Sequence, residues 1–320
     1  MRNLLLFITL ISSLAACSHD SNFAAIESIS AKEKPLKIIT RILTTKSANF
    51  VQEFKDGSEI GLLITREDDG GLYDEDSDYI NVKAKANLIS NKISWRQTPE
   101  VTLNFDPAIV YAYYPYQSQM RLSTASIPVK ISPDATQTRD YMYGTHALGQ
   151  KAVNSISPMV LLNMEHALSL ISFQVNLEKT EEEIYELSAV QLGNKAGGTA
   201  LICKGMMDIR TGQITGTACC SVASRLNLEE PVTLTKEFCD PQKIMVIPTA
   251  SGTTAEGDIE ALFTINGTSY KYKIPAKTVW EKGHKYLYKL TLSGEALTLK
   301  EVSVTDWIQG NGKDATSSIM

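Results

Sequence analysis

Apolar and polar residues alternate along this chain in short runs, and no apolar stripe of helical spacing lasts longer than two turns. The first run is Pro35-Leu36-Lys37-Ile38-Ile39-Thr40-Arg41-Ile42-Leu43. Glu59 to Ile64, Tyr79 to Ala84, Val101 to Phe105 and Ile109 to Tyr114 follow, the last ended by Pro115. Side chains on a pleated strand point to opposite faces in turn, so a period of two buries one face of a sheet and suits no helix. The second half repeats the texture in His166 to Val175, Lys243 to Ile247, Ile259 to Ile265, Tyr270 to Ile274, His284 to Leu292 and Leu297 to Trp307. Tyr286, Tyr288, Leu290 and Leu292 should share a face, and Asn266-Gly267 is a hairpin turn of type I′. Only Lys179 to Leu187 suggests a helix, a short one. The reading is all-β, two β-sandwiches in series. A polar loop runs from Ser132 to Ser157 and ends just before Pro158, and the boundary falls near residue 164, before the strand at His166, giving domains at 36–164 and 165–320.

The N-terminus is organised differently. Arg2 precedes an apolar run from Leu4 to Ile11, then Ser12, Ser13 and Leu14-Ala15-Ala16-Cys17. A basic residue, a short apolar segment and small residues before a cut describe a secretory signal. A cysteine directly after the small residues makes it a bacterial lipobox. Cleavage is expected between Ala16 and Cys17, with the Cys17 thiol carrying a diacylglycerol. The apolar run is too short to cross a bilayer, which takes about 20 residues. Residues 1–16 are then signal, and 17–35, rich in Ser, Ala and Glu, a lipid tether. Losing Arg2 takes the net charge from -5 to -6. There is no basic patch, so nucleic acid is not an expected partner.

The signatures of common enzymes are missing, with no nucleophile elbow, phosphate loop, dinucleotide fingerprint or zinc-protease helix. No catalytic residue, metal site or cofactor is expected. His19, His146, His166 and His284 are scattered, and His166 and His284 each begin a predicted strand. Asp74, Asp76 and Asp78 match the start of a calcium loop. Tyr79 then stands where glycine is needed and Lys85 where the bidentate glutamate belongs, which favours a solvated acidic loop. Cys203, Cys219, Cys220 and Cys239 fit one or two bridges in an exported protein, or four free thiols behaving as small apolar groups.

Several motifs together resemble the fimbrillin family of Bacteroidales, the subunits of type V pili. They are the lipobox with its tether and early strand; Phe54-Lys55-Asp56-Gly57-Ser58-Glu59-Ile60-Gly61-Leu62; Val110-Tyr111-Ala112-Tyr113-Tyr114-Pro115-Tyr116; His166-Ala167-Leu168-Ser169-Leu170; and Trp280-Glu281-Lys282-Gly283-His284-Lys285-Tyr286-Leu287-Tyr288, followed by Val302-Ser303-Val304-Thr305-Asp306-Trp307. The resemblance implies two transthyretin-like sandwiches and a structural or adhesive role in a fimbrium on the outer membrane surface. It also implies assembly partners. A protease cuts the lipidated precursor after a basic residue near the first strand, with Arg41 the first candidate and Lys46 the second. A strand from another subunit then fills the groove. The candidate donor here is 297–308, unless the chain is an anchor or tip subunit that donates nothing. Host or bacterial receptors are further candidate partners. The competing reading is a surface lipoprotein that does not polymerise and binds glycan or another ligand through Tyr111, Tyr113, Tyr114 and Tyr116.

Overall fold

A computed structural model describes residues 33–43, 53–73, 79–90, 92–120, 122–179, 183–249, 251–294 and 296–307. These residues are almost entirely strand and turn, and their only helical pieces are the 3-10 turns Leu122–Thr124 and Ala135–Gln137. The first half supplies β1 (Lys34–Pro35), β2 (Lys37–Ile42), β3 (Glu59–Arg66), β4 (Val82–Ile89), β5 (Lys92–Thr98), β6 (Thr102–Leu103), β7 (Ala108–Tyr114), β8 (Ser126–Lys130), β9 (Met142–His146) and β10 (Met159–His166). Seven of them form one sheet in the order β2-β10-β9-β7-β3-β4-β5, while β1 pairs with β6.

The second half contributes β11 (Ser169–Leu177), β12 (Glu186–Asn194), β13 (Ile202–Asp208), β14 (Ile214–Cys219), β15 (Ser224–Thr233), β16 (Gln242–Val246), β17 (Ile259–Ile265), β18 (Thr268–Lys273), β19 (His284–Ser293) and β20 (Ala296–Asp306). Two four-stranded sheets, β16-β11-β19-β20 and β15-β12-β17-β18, enclose a core containing Phe173, Phe263, Trp280 and Tyr288. Phe173 meets Phe263 edge-on at 5.3 Å, and Trp280 Nε1 donates to the Tyr288 hydroxyl at 3.0 Å. Alternation on β19 buries Tyr286, Tyr288, Leu290 and Leu292 on one face as expected. Asn266 and Gly267 both take positive φ between β17 and β18, as a type I′ turn requires.

A further sheet joins the two halves. β8 pairs antiparallel with β13, from Lys204↔Lys130 to Asp208↔Ser126, and β14 completes the order β14-β13-β8. A third core fills this junction, where Leu63, Tyr113 and Ile127 meet Met207, Met245 and Trp307. This is why β3 is buried on both faces. Its Ile60, Leu62 and Ile64 enter the core of the first half, and Leu63 enters the junction.

Several elements differ from the sequence reading. His166 ends β10, and the next strand starts at Ser169; Ala167 and Leu168 turn the corner, fully buried. No helix forms over the described part of 179–187, because Leu187 already belongs to β12, where a bulge before Ala189 brings it into the same core as Val190 and Leu192. The loop from Ser132 to Ser157 contains β9, whose Met142-Tyr143-Gly144 is buried despite carrying a weak strand signal. The strand expected at Tyr79 begins at Val82 and runs to Ile89.

Candidate functional site

The seven-stranded sheet folds back until its two end strands, β2 and β5, face each other. Trp95 Nε1 on β5 donates to Thr40 Oγ1 at 3.2 Å, and Gln97 Nε2 donates to the Leu36 carbonyl at 2.7 Å. Gln97 Oε1 accepts from Val101 N–H, and Val101 O accepts from Leu36 N–H, so one amide ties the start of β2 to the chain after β5. On its other side β2 pairs in parallel with β10, from Met159↔Lys37 to Met164↔Ile42. Backbone pairing therefore holds β2 along one edge, while side chains bridge the other.

Alternation sets what β2 presents. Leu36 and Ile38 are buried in the first core, whereas Lys37, Ile39 and Arg41 point outward. Beneath and beside the strand, Phe54 packs edge-on against Trp95 at 5.1 Å and against Tyr114 at 5.5 Å. Two clefts flank β2. One, about 730 Å³, is lined by Ile39, Ile42, Phe54, Leu88 and Ile93 among others, and one of about 670 Å³ by Leu36, Ile38, Trp95 and Met159 among others. Ile39, Leu88 and Met159 are about half exposed along this seam. The seam thus combines apolar floor, an end strand and a free strand edge, which is the chemistry of strand addition.

The candidate site residues fall unevenly on this geometry. Arg41 is exposed near the end of β2, opposite Asn163 of β10. Ala16, Cys17 and Lys46 lie outside the described residues. The described part of the candidate donor segment, 297–307, is β20 and the residue after it. β20 pairs antiparallel with β19 inside its own sandwich, from His284↔Asp306 to Ser293↔Ala296. Trp307 is buried and stacks on the His166 ring at 3.9 Å, and His166 Nδ1 meets Asp140 Oδ1 at 2.9 Å.

A scan over residues 40–307 matches the fimbrillin-like family model. The chain belongs to the fimbrillin-like family. No curated protein matches it. Among solved structures it is similar to a protein provisionally described as a cell adhesion protein from Bacteroides ovatus ATCC 8483, at 20% identity and TM-score 0.60, covering 87% of this chain and 99% of that one. A protein with the same provisional description from Bacteroides uniformis ATCC 8492 gives 18% identity and TM-score 0.58, over 86% of this chain and 99% of that one. A fimbrial protein from Bacteroides vulgatus ATCC 8482 gives 14% and 0.51, over 85% and 99%. At these identities the likeness is one of fold.

The motifs that carried the family resemblance have structural jobs. Tyr113 is fully buried, with its hydroxyl at 2.6 Å from Asn81 Oδ1 and 2.9 Å from the Gln117 carbonyl, and burial pushes its ionisation well above the ordinary tyrosine value. Tyr111, Tyr114 and Tyr116 are half-buried, so none of the four offers a fully exposed stacking face. In the Trp280 motif, Lys282 Nζ reaches back to the first half. It donates to the Tyr143 hydroxyl at 2.8 Å and to the Thr211 carbonyl, and lies 4.2 Å above the Tyr143 ring; Tyr143 in turn donates to Glu165 at 2.6 Å. That network was invisible in sequence, because its members come from segments far apart. In the acidic loop, Arg66 grips Asp69 with two hydrogen bonds of 3.0 and 2.7 Å, holding that carboxyl down at about 2. Asp74, Asp76 and Asp78 lie outside the described residues.

Proposed function

We propose that this chain is a subunit of a cell-surface fimbrium, exported as a lipoprotein on Cys17 and assembled by removal of its first strands and exchange of a strand from another subunit. Two sandwich units, at 36–164 and 165–320, form the body of the subunit. The observation that carries the reading is the position of β2. It is an end strand near the start of the chain, it covers core positions through Leu36 and Ile38, and it exposes a basic residue at Arg41. Cutting after Arg41 leaves the β10 edge unpaired except through the last residue of β2. A strand from a second chain satisfies that edge and refills the apolar floor. Such a head-to-tail contact does not close on itself, so it grows a filament.

One observation favours a variant of this reading. β20 is built into its own sheet and anchored by Trp307, so a donor role for 297–308 would require unpairing it from β19. That supports an anchor or tip position, in which the chain receives a strand and donates none. A non-polymerising lipoprotein that binds ligand through the Tyr111–Tyr116 motif finds less support, because those rings are spent on packing.

The test is limited digestion of the purified precursor with a trypsin-like protease, followed by N-terminal sequencing and denaturant-free electrophoresis. A new N-terminus at Ile42 is expected, with a ladder of multimers if 297–308 donates and cut monomer alone if the chain only receives, and Arg41→Gln should abolish the cut or move it to Lys46. A precursor left intact at both positions would sink the assembly route. The N-terminal residue of the protein on cells adds the fate of the lipid. Lipidated Cys17 identifies a resident lipoprotein or anchor, and Ile42 a processed subunit.

A further inference from the structure

Three of the described cysteines gather at the open end of the β13–β14 hairpin. The register places Ile202 opposite Cys219, and Cys220 N–H donates to the Leu201 carbonyl at 2.9 Å. Strict pairing then breaks, because Lys204 faces Ala218 and Cys203 is left as the extra residue of a bulge. Alternation puts Leu201, Cys203 and Cys220 on one face and Ile202 with Cys219 on the other. Burial agrees with that assignment. Leu201 and Cys220 are buried in the core of the second half and Cys203 packs against it, while Cys219 is exposed. The Cys203 thiol donates to the Cys219 carbonyl at 3.3 Å, which sets its sulfur beside the peptide that leads into Cys220. Cys239 sits elsewhere, its sulfur accepting from Val175 N–H at 3.3 Å on β11.

We propose that Cys203 and Cys220 form a disulfide that closes the β13–β14 hairpin, leaving Cys219 and Cys239 as free thiols. The inference rests on the export reading above for its oxidising compartment. The reaction is thiol–disulfide exchange with a disulfide oxidant such as glutathione disulfide. The half-buried Cys203 attacks first, forming a mixed disulfide and releasing one thiol. Cys220 then displaces the second thiol from the Cys203 sulfur, so two protein thiols are oxidised and one oxidant disulfide is reduced to two thiols. Burial holds the Cys220 thiol protonated well above the usual range, so closure should be slow in the folded protein and faster while the hairpin is still opening.

The surroundings give the bridge its consequence. Asn194 Nδ2 donates to both the Leu201 and Cys220 carbonyls, at 2.9 and 3.1 Å, while Asn194 Oδ1 accepts from Leu201 N–H at 2.6 Å. Ile131, at the end of β8, donates its N–H to the Cys203 carbonyl at 2.9 Å. The bridge would therefore fix the hairpin at the point where it grips the first half. It would harden the joint between the two halves of a subunit that has to bear tension.

The test is oxidation of the reduced, full-length protein with glutathione disulfide, alkylation of the remaining thiols and tryptic mass spectrometry without reduction. Residues 196–204 should be linked to 211–225, with fragmentation locating the bond at Cys220 and the alkyl group at Cys219. The link should survive Cys219→Ser and vanish in Cys220→Ser. Oxidation should raise the melting temperature by about 3 to 6 °C, the size expected for closing a loop of this order. A link through Cys219 or Cys239, or full alkylation of both Cys203 and Cys220 after oxidation, overturns the pairing. Protein taken from cells and alkylated at once separates the two readings. Free thiols there, with the pair forming on glutathione treatment, count against export and leave the pairing standing.

Discussion

Gly61 and Tyr113 offer the sharpest test of how two family motifs became one structural element. They sit opposite each other on β3 and β7, and the Tyr113 ring lies across the glycine. A Cβ added to Gly61 would stand 2.1 Å from Tyr113 Cε1, 2.2 Å from Cζ and 2.5 Å from the hydroxyl oxygen. Carbon atoms in contact settle at about 3.5 to 4.0 Å, so the ring would have to retreat by more than an ångström. It has nowhere to go, because Tyr113 is fully buried and its hydroxyl sits between Asn81 and Gln117. Overpacking of a dense core costs about 1–3 kcal/mol, and a buried hydroxyl pulled from its partners about 1–3 more. Replacing a strand glycine otherwise gains roughly 0.5–1 kcal/mol. Gly61→Ala should therefore destabilise by about 2–4 kcal/mol, a fall in melting temperature of roughly 3 to 6 °C for a chain of this size. Denaturant unfolding of Gly61→Ala, Tyr113→Ala and the double variant makes the argument decisive. The added methyl then occupies space the ring has vacated, so the double variant should be at least about 1 kcal/mol more stable than the two losses added together. A stabilising Gly61→Ala, or strictly additive losses, would show that the ring and the glycine are not coupled. Gly144 provides a contrast. Its added Cβ would meet Met164 Sδ at 2.3 Å, but a thioether chain adapts more easily than a pinned ring, so Gly144→Ala should cost less.

Burial, then the nearby Lys243 charge, lowers Lys285 on β19 from 10.5 to about 8. Below pH 8 both folded and unfolded lysines are charged and the fold carries the full penalty; between about 8 and 10.5 the unfolded chain binds more protons, so stability recovers as pH rises. Lys285→Met should thus be more stable than the parent below pH 8, by roughly 1 kcal/mol after allowance for partial exposure, with the gap closing by pH 10.5 in thermal melts. Asp258 accepts from Lys195 Nζ, Thr254 N–H and hydroxyl, and Ala255 N–H at 2.7 to 2.8 Å, and the lysine contact leads in holding its carboxyl far below the usual range. Its stabilisation is present above the ordinary carboxylate range and fades as pH falls through the lowered folded value. Asp258→Asn should therefore melt lower at neutral pH, and an equal deficit at strongly acid pH would contradict the assignment. Protein cut after Arg41 loses the burial of Leu36 and Ile38, about 1.5–3 kcal/mol each, and its melting temperature should fall. A synthetic peptide of residues 33–41 should restore it, and the same peptide carrying Ile38→Asp should not; equal restoration by both would mean that the apolar floor plays no part.

Legibility in the sequence followed the range of the interactions. β3, β7, β17, β18, β19 and β20 lie close to where alternation put them, because each pairs with a near neighbour or carries a strong β-branched and aromatic signal. β9 stayed hidden because Met142-Tyr143-Gly144 carries little strand propensity and is buried by tertiary packing against Met164. β5, with Lys92, Trp95 and Arg96, reads as polar because it is an end strand buried chiefly through Trp95. At the candidate site, Arg41 and its strand were visible, but the parallel partner β10 and the opposing lip of β5 were not. No local pattern reports which distant strand a segment will lie beside. The β8–β13 sheet was missed for the same reason, since its register links a segment before the boundary to one well beyond it.

Among the described residues, the early strand β2 and the last strand β20 differ in how tightly they are held, and the difference bears on the proposed assembly. Both β2 and β20 end a sheet. β2 has six residues, pairs in parallel, and buries only Ile38, with Leu36 buried just before it. β20 has eleven residues, pairs antiparallel along β19, and is followed by Trp307, which is 1% exposed and stacked on His166. Antiparallel pairing is slightly stronger per residue, the ladder is longer, and a buried tryptophan adds an anchor that truncation would cost about 3–5 kcal/mol to remove. A strand that leaves during assembly should be the one whose departure costs least, which is β2. Native-state hydrogen exchange on the intact precursor tests that order directly, since amides exchange by local opening at a free energy set by what opens. The β2 amides that bond to β10 should exchange well ahead of those on β20, and Trp307→Ala should speed β20 and leave β2 unchanged. If β20 opens first in the unmodified protein, the exchangeable element is at the other end of the chain, and the cut at Arg41 loses its physical rationale.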